Sequence, residues 1–252
     1  MVRRSVLAML AVLTIALGCV VVSTPAGAVV DTAVVVPSPN AGTSDDGLQS
    51  VSCVSASECV AVGSTYTGSA FETLVMVWDG TAWSIVPSPN AGTINDQLDS
   101  VSCVSASECV AVGQTRTGSV FETLAMVWDG IEWSIVPSHN PGTRYDQLDS
   151  VSCVSASECV AVGSTQIGFP IETLVLVWDG NEWSIVPSPN AGTINDQLDS
   201  VSCVSGSDCV AVGSTYNGSD TETLVLSMTG PVPPSTTTTL SPPDQVVPAF
   251  TG

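Results

Sequence analysis

Valine, alanine and leucine alternate with serine, threonine and glutamate along most of this chain, and the alternation returns every 50 residues. In the first full unit it falls into four short stretches of period two, at 48–53, 58–63, 73–78 and 83–87. Alternation of this kind, rich in β-branched residues and bounded by turn formers, predicts half-buried strands. Ser55-Ala56-Ser57 separates the first two, and Asp79-Gly80, a strong hairpin pair, separates the last two. Pro87-Ser88-Pro89 then ends the ladder, because proline has no N–H to donate. No helical period appears anywhere in the repeats.

The segment Ser-Val-Ser-Cys-Val-Ser-Ala-Ser-Glu-Cys-Val-Ala-Val-Gly starts at Ser50 and recurs unchanged at Ser100 and Ser150; it recurs at Ser200 with Gly206 and Asp208 substituted. A repeat of 50 residues holding four antiparallel strands is the content of one β-propeller blade. The expected fold is therefore all-β, a four-bladed propeller. Residues 33–40, Ala-Val-Val-Val-Pro-Ser-Pro-Asn, align with the fourth strand of a unit, while the last unit supplies only three strands. Its Trp-Asp-Gly turn is also lost, reading Ser227-Met228-Thr229-Gly230. The N-terminal strand is thus expected to complete the last blade and close the ring, which would remove both exposed edges.

Outside the repeats, Arg3 and Arg4 precede an apolar run over 6–22 and Ala26-Gly27-Ala28, the layout of a secretory signal cut after Ala28. An uncleaved anchor, or lipidation at Cys19, are the alternatives. From Pro231 onward, prolines and four consecutive threonines read as an extended tail. The expected organisation is a signal at 1–28, a repeat domain at 29–230 and a tail at 231–252.

Charge narrows the partners. There are 4 Lys+Arg against 24 Asp+Glu, and every one of the four is arginine. Loss of Arg3 and Arg4 with the signal would leave 2 − 24 = −22. Such a surface repels phosphate, which excludes nucleic acid, and leaves membrane contact only to an uncleaved or lipidated N-terminus. A monomer is expected, secreted or tethered at the cell surface.

Eight of the nine cysteines form four C-x5-C pairs: Cys53 with Cys59, Cys103 with Cys109, Cys153 with Cys159 and Cys203 with Cys209. Each pair brackets the first turn of a unit, so the two residues face each other across neighbouring strands. In a secreted chain that spacing predicts disulfides. Zinc is the rival, but it needs four converging ligands and the chain has one histidine, His139.

Trp78 and Trp83, with their counterparts Trp128 and Trp133, Trp178 and Trp183, flank the last turn of each unit. Packing between blades is their expected role, with sugar stacking the alternative. Trp-Asp-Gly-x-x-Trp closing a four-stranded unit resembles the turns of kelch and Asp-box propellers, and the whole unit resembles the tandem propeller repeats of secreted bacterial proteins. The resemblance covers 33–230 and implies the fold. It implies no activity, because propellers host many unrelated functions.

Asp46, Asp96, Asp146 and Asp196 recur before the first strand of each unit, and Glu72, Glu122, Glu172 and Glu222 before the third. Fourfold repetition would set four of the aspartates in a ring at one mouth of the channel, and calcium is the cation such a ring would take. Turn chemistry explains the same aspartates without any ion. No other cofactor is implied.

Two arginines are too few to clasp a carboxylate as sialidase chemistry requires, and no unit carries a distinctive polar cluster. The expected function is a non-enzymatic binding or scaffold module for an extracellular protein or glycan. A glycoside-active enzyme, using paired carboxylates, and a purely structural surface protein are the alternatives.

Overall fold

The computed structural model describes residues 33–230 apart from Thr43, Thr93, Gly192 and Thr193. The expected signal at 1–28 and tail at 231–252 lie outside the described residues. The described residues from Pro37 onward form one compact unit.

Four strand units follow one another at the repeat period, linked in pairs into an eight-stranded and a seven-stranded sheet. The first unit contains β1 (Ser44–Ser55), β2 (Glu58–Tyr66), β3 (Phe71–Trp78) and β4 (Trp83–Val86). The second contains β5 (Asn95–Ser105), β6 (Glu108–Thr117), β7 (Val120–Trp128) and β8 (Trp133–Ile135). The third contains β9 (Asp146–Ser155), β10 (Glu158–Gln166), β11 (Ile171–Trp178) and β12 (Trp183–Ile185). The fourth has three strands: β13 (Asn195–Ser205), β14 (Asp208–Tyr216) and β15 (Thr221–Thr229). Within each unit consecutive strands pair antiparallel, and single parallel pairs such as Phe71 with Asn95 lead into the next unit. The architecture is all-β, with repeated units of about 50 residues.

The first strand of each unit is longer than its alternation predicts, because it passes through a bulge. In the third unit Leu148 pairs with Gly163 and Ser150 with Val162, which leaves Asp149 opposite no residue. The extra residue turns Leu148 and Val151, three apart, to the same side, and both are buried in one cluster. Gly163 is the necessary complement. A Cβ there would lie 2.1 Å from the carbonyl oxygen of Gln147.

The core lies between the units. Val62 and Val75 of the first unit pack on Leu98, Val101, Leu124 and Met126 of the second. Val112 and Ala125 of the second pack in the same way on Leu148, Val151, Leu174 and Leu176 of the third. Val162 and Val175 of the third pack on Leu198, Val201, Leu224 and Leu226 of the fourth. Each such junction also carries two hydrogen bonds to serine hydroxyls. Val151 N–H donates to Ser100 Oγ at 3.1 Å and Cys153 N–H to Ser102 Oγ at 3.0 Å. Equivalent pairs join Val101 and Cys103 to Ser50 and Ser52, and Val201 and Cys203 to Ser150 and Ser152. These hydroxyls occupy donors that an inner strand would otherwise leave bare.

The expected closing strand is not formed. Residues 33–40 are assigned to no strand, and β15 ends its sheet with β14 as its only neighbour among the described residues. The ring of four is open in this structure. Likeness to the fourth strand of a unit marked 33–40 as strand-like, but a ladder also needs a partner edge within reach.

Candidate functional site

The bulges place one carboxylate from each of three successive units side by side. Asp99, Asp149 and Asp199 are the bulged residues of β5, β9 and β13, and the first unit has Gln49 in that position. Burial pushes the Asp149 carboxyl up to about 6, and the neighbouring Asp99 and Asp199 charges add to the shift. Burial likewise raises Asp99. A glutamine two residues earlier steadies each one: Gln97, Gln147 and Gln197 donate through Nε2 to Asp99, Asp149 and Asp199.

In the third unit this row acquires an aromatic cap. Arg144-Tyr145 stands where the second and fourth units have Ile94-Asn95 and Ile194-Asn195. The Tyr145 hydroxyl donates to Gln147 Oε1, so hydroxyl, amide and Asp149 carboxylate form one chain. Burial pushes the Tyr145 phenol up to about 12, helped by the Asp149 and Asp99 charges. Its ring meets Phe121 edge-on at 5.6 Å, and Arg116 lies 5.1 Å above the other neighbour of that contact, the Phe121 ring itself. Beside them is a recess of about 400 Å³ lined by Phe121, Arg144, Tyr145, Gln166 and Gln197. An aromatic ring, two amides and one exposed guanidinium near a half-buried acid can bind a polar ligand.

The aspartates expected to form a ring do other work. Asp146 is buried and accepts from Gly142 N–H at 3.0 Å and from the Thr165 hydroxyl at 2.5 Å. Asp96 accepts from Ala91 and Gly92 N–H at 3.1 and 2.8 Å, and Asp46 takes Gly42 N–H and the Thr65 hydroxyl. Asp196 is buried in the same position of its own unit. Asp46 and Asp146 pin the incoming loop to a threonine of their own sheet, and among the described residues no three acidic, histidine or cysteine side chains come together as a metal site. Burial raises Asp146, and its hydrogen bonds from Thr165 and Gly142 oppose that shift.

The cysteines pair as the spacing predicts. Cys53–Cys59, Cys103–Cys109, Cys153–Cys159 and Cys203–Cys209 are disulfides between directly opposed residues, with Cα atoms 4.0–4.1 Å apart. Such bonds point to an oxidising environment. The tryptophans pack. Trp133 and Trp183 are buried in the junction clusters, and Trp78, Trp128 and Trp178 donate their indole N–H to the carbonyls of Ala56, Ala106 and Ala156. In the adjoining turn Asp79 accepts from Thr81 and Ala82, which holds its carboxyl down at about 2. His139 sits exposed in the proline turn, where its carbonyl accepts from Thr123.

The expectation that no unit carries a distinctive polar cluster is overturned by the Tyr145 recess. Two signals in the sequence mark it. One is the break in repetition at Arg144-Tyr145, and the other is the Leu-x-x-Val spacing that hides a bulged aspartate.

No protein family's profile matches the sequence, and no curated protein matches it. Among solved structures, the chain is similar to a propeller-like protein whose structure is described as "YCF48 bound to D1 peptide". Identity is 15%, the TM-score is 0.42, and the match covers 69% of this chain and 52% of that one. The chain therefore spans about half the length of that neighbour.

Proposed function

We propose that the four strand units are blades of a β-propeller and that the protein is a non-enzymatic, secreted or surface-tethered binding module for neutral glycans. The Tyr145 recess carries this reading. It lies where the third unit departs from the second and fourth, and that departure adds an aromatic ring and a cation over an amide-lined floor. The face of an aromatic ring suits the C–H face of a sugar, while Gln166, Gln197 and Arg144 offer hydrogen bonds to hydroxyls. The strongly acidic chain disfavours anionic ligands over neutral ones. Four disulfides and the signal-like N-terminus fit an extracellular setting.

Glycoside cleavage is the second reading, favoured by one observation: Asp149 titrates at about 6 beside two other carboxylates, as a general acid would. Against it, the glutamine-to-aspartate pairing is repeated in three units, which suits a structural element better than a single catalytic centre.

The test is a neutral-glycan array followed by calorimetry on the best ligand, using the chain and an Arg144→Ile/Tyr145→Asn variant. That variant restores the residues of the second and fourth units and should fold. Binding lost in the variant, with no reducing ends released by the parent, is the expected result. Binding that survives the change removes the recess from consideration, and sugar release that depends on Asp149 favours the enzyme.

A further inference from the structure

Three junctions between units are built alike, and each unit has a leading face that meets the unit before it and a trailing face that meets the unit after. Among the described residues, the first unit's leading face and the fourth unit's trailing face have no such partner. Val51 is 58% exposed, whereas its equivalents Val101, Val151 and Val201 are 5–7% exposed. Leu48 is 45% exposed and Leu98, Leu148 and Leu198 are fully buried. On the trailing side Val225 is 64% exposed against 1% for Val175, and Val210 and Val212 are exposed where Val160 and Val162 are buried.

The missing fourth strand leaves a matching gap. In the first three units the turn after the fourth strand is latched to the third. Thr73 receives Ser88 at 2.8 Å between hydroxyls, and its N–H donates to Asn90 Oδ1 at 2.8 Å. Thr123 is held in the same way by Ser138 and Asn140, and Thr173 by Ser188 and Asn190. Thr223, the fourth of the series, is exposed while the other three are buried. Ser38 and Asn40 have the spacing of the latch and stand after Val34-Val35-Val36, a strand-like run in no ladder.

We infer that these faces are the two halves of an interface between copies of this chain, which join head to tail into a ring of two chains and eight units. Each half is the complement that the other meets three times within the chain. The occupant is a second copy for a geometric reason. The three junctions repeat one arrangement, and four units built on it leave the first and last faces exposed, so four units do not close on themselves. Eight units lie at the upper end of the range of about four to eight blades that propellers use. In the ring, Ser200 and Ser202 accept from Val51 and Cys53 N–H of the neighbouring copy, and Ser38 and Asn40 of that copy latch onto Thr223. A heterologous contact of this kind closes only if its rotation is right, and otherwise grows into a filament. The inference is independent of the ligand proposed above.

Sedimentation of the full chain from an oxidising host should give the mass of two chains. Val225→Glu, at a position already exposed in the single chain, should halve it with the β circular dichroism unchanged. A second variant pairs Ser38→Cys with Thr223→Cys, positions whose equivalents lie within hydroxyl contact in the other units. It should yield a reducible two-chain band on a denaturing gel. A parent that sediments as one chain, an engineered disulfide within one chain, or mass that keeps rising with concentration would each overturn the two-chain ring. Those results would mean, in turn, no self-association, closure of four units alone, or an open filament.

Discussion

Gly163 faces the carbonyl of Gln147 so closely that a Cβ would come within 2.1 Å of its oxygen. The obstacle is backbone, so no side-chain rotation can relieve it. The same contact recurs at Gly63, Gly113 and Gly213, at 1.9, 2.1 and 2.0 Å. Gly163→Ala should therefore displace the Asp149 bulge and unfold the protein more easily, by about 2–3 kcal/mol. Chemical denaturation with unchanged slope would measure it. Gly118, beside which a Cβ meets no atom, sits at φ 65°, so an alanine there reports backbone strain without the clash.

The bulged carboxylates give stability a pH dependence of definite sign. Asp149 is raised in the fold to about 6 from an ordinary 3.8. Well below 3.8 it is neutral whether the chain is folded or not, and the protein has the full benefit. As the pH climbs through 6 the folded state must carry the charge beside Asp99 and Asp199, and stability falls. Asp149→Asn keeps an oxygen for Gln147 to donate to. It should stabilise the fold at pH 8 by on the order of 2 kcal/mol, seen as a higher melting point, and leave the melting point unchanged at about pH 3. Equal effects at both pH values would dismiss the like-charge row.

Ser100 reaches across a junction rather than along its own sheet, accepting the Val151 N–H at 3.1 Å in a buried setting. Ser100→Ala leaves that donor without an acceptor and should cost about 1–2 kcal/mol. Amide hydrogen exchange should localise the loss to Val151 and its neighbours in β9. Protection unchanged at Val151 would mean that the hydroxyl contributes nothing to the junction.

How far the fold could be read from the sequence depended on how local each determinant was. The four strands, the cysteine pairs and the packing of Trp133 and Trp183 follow from alternation and spacing within one unit. The bulge does not, because it breaks the alternation: Leu148 and Val151 look out of phase until Asp149 is lifted out of the ladder. That is why Asp146, in phase with a turn, drew attention as an ion ligand while Asp149 did not. Ring closure failed for a different reason. Residues 33–40 carry the composition of a fourth strand, but composition does not say where the receiving edge of β15 lies.

The disulfides should act on register more than on overall stability. Each closes a short loop, so replacing both Cys103 and Cys109 by serine should cost about 2 kcal/mol in the chain-entropy picture. The loss should appear as faster exchange in β5 and β6 alone, with the melting point lowered by about 4–8 °C. Global unfolding on losing one bridge would assign the cysteines a role in folding itself.

Asp146 decides between an ion ring and a loop anchor. Its oxygens are taken by Gly142 N–H at 3.0 and 3.1 Å and by the Thr165 hydroxyl, all within one unit. Asp146→Ala strands both donors beneath the loop and should destabilise by about 2–4 kcal/mol, counting about 1–3 for each unsatisfied group with some relaxation. Because the carboxylate is already satisfied, millimolar calcium should leave the melting point of the parent unchanged, and a chelator should do the same. A calcium-dependent rise that disappears in Asp146→Ala would instead restore the acidic ring. Anchoring and ion binding thus separate on a single pair of melting curves, since anchoring predicts a mutational loss with no calcium term.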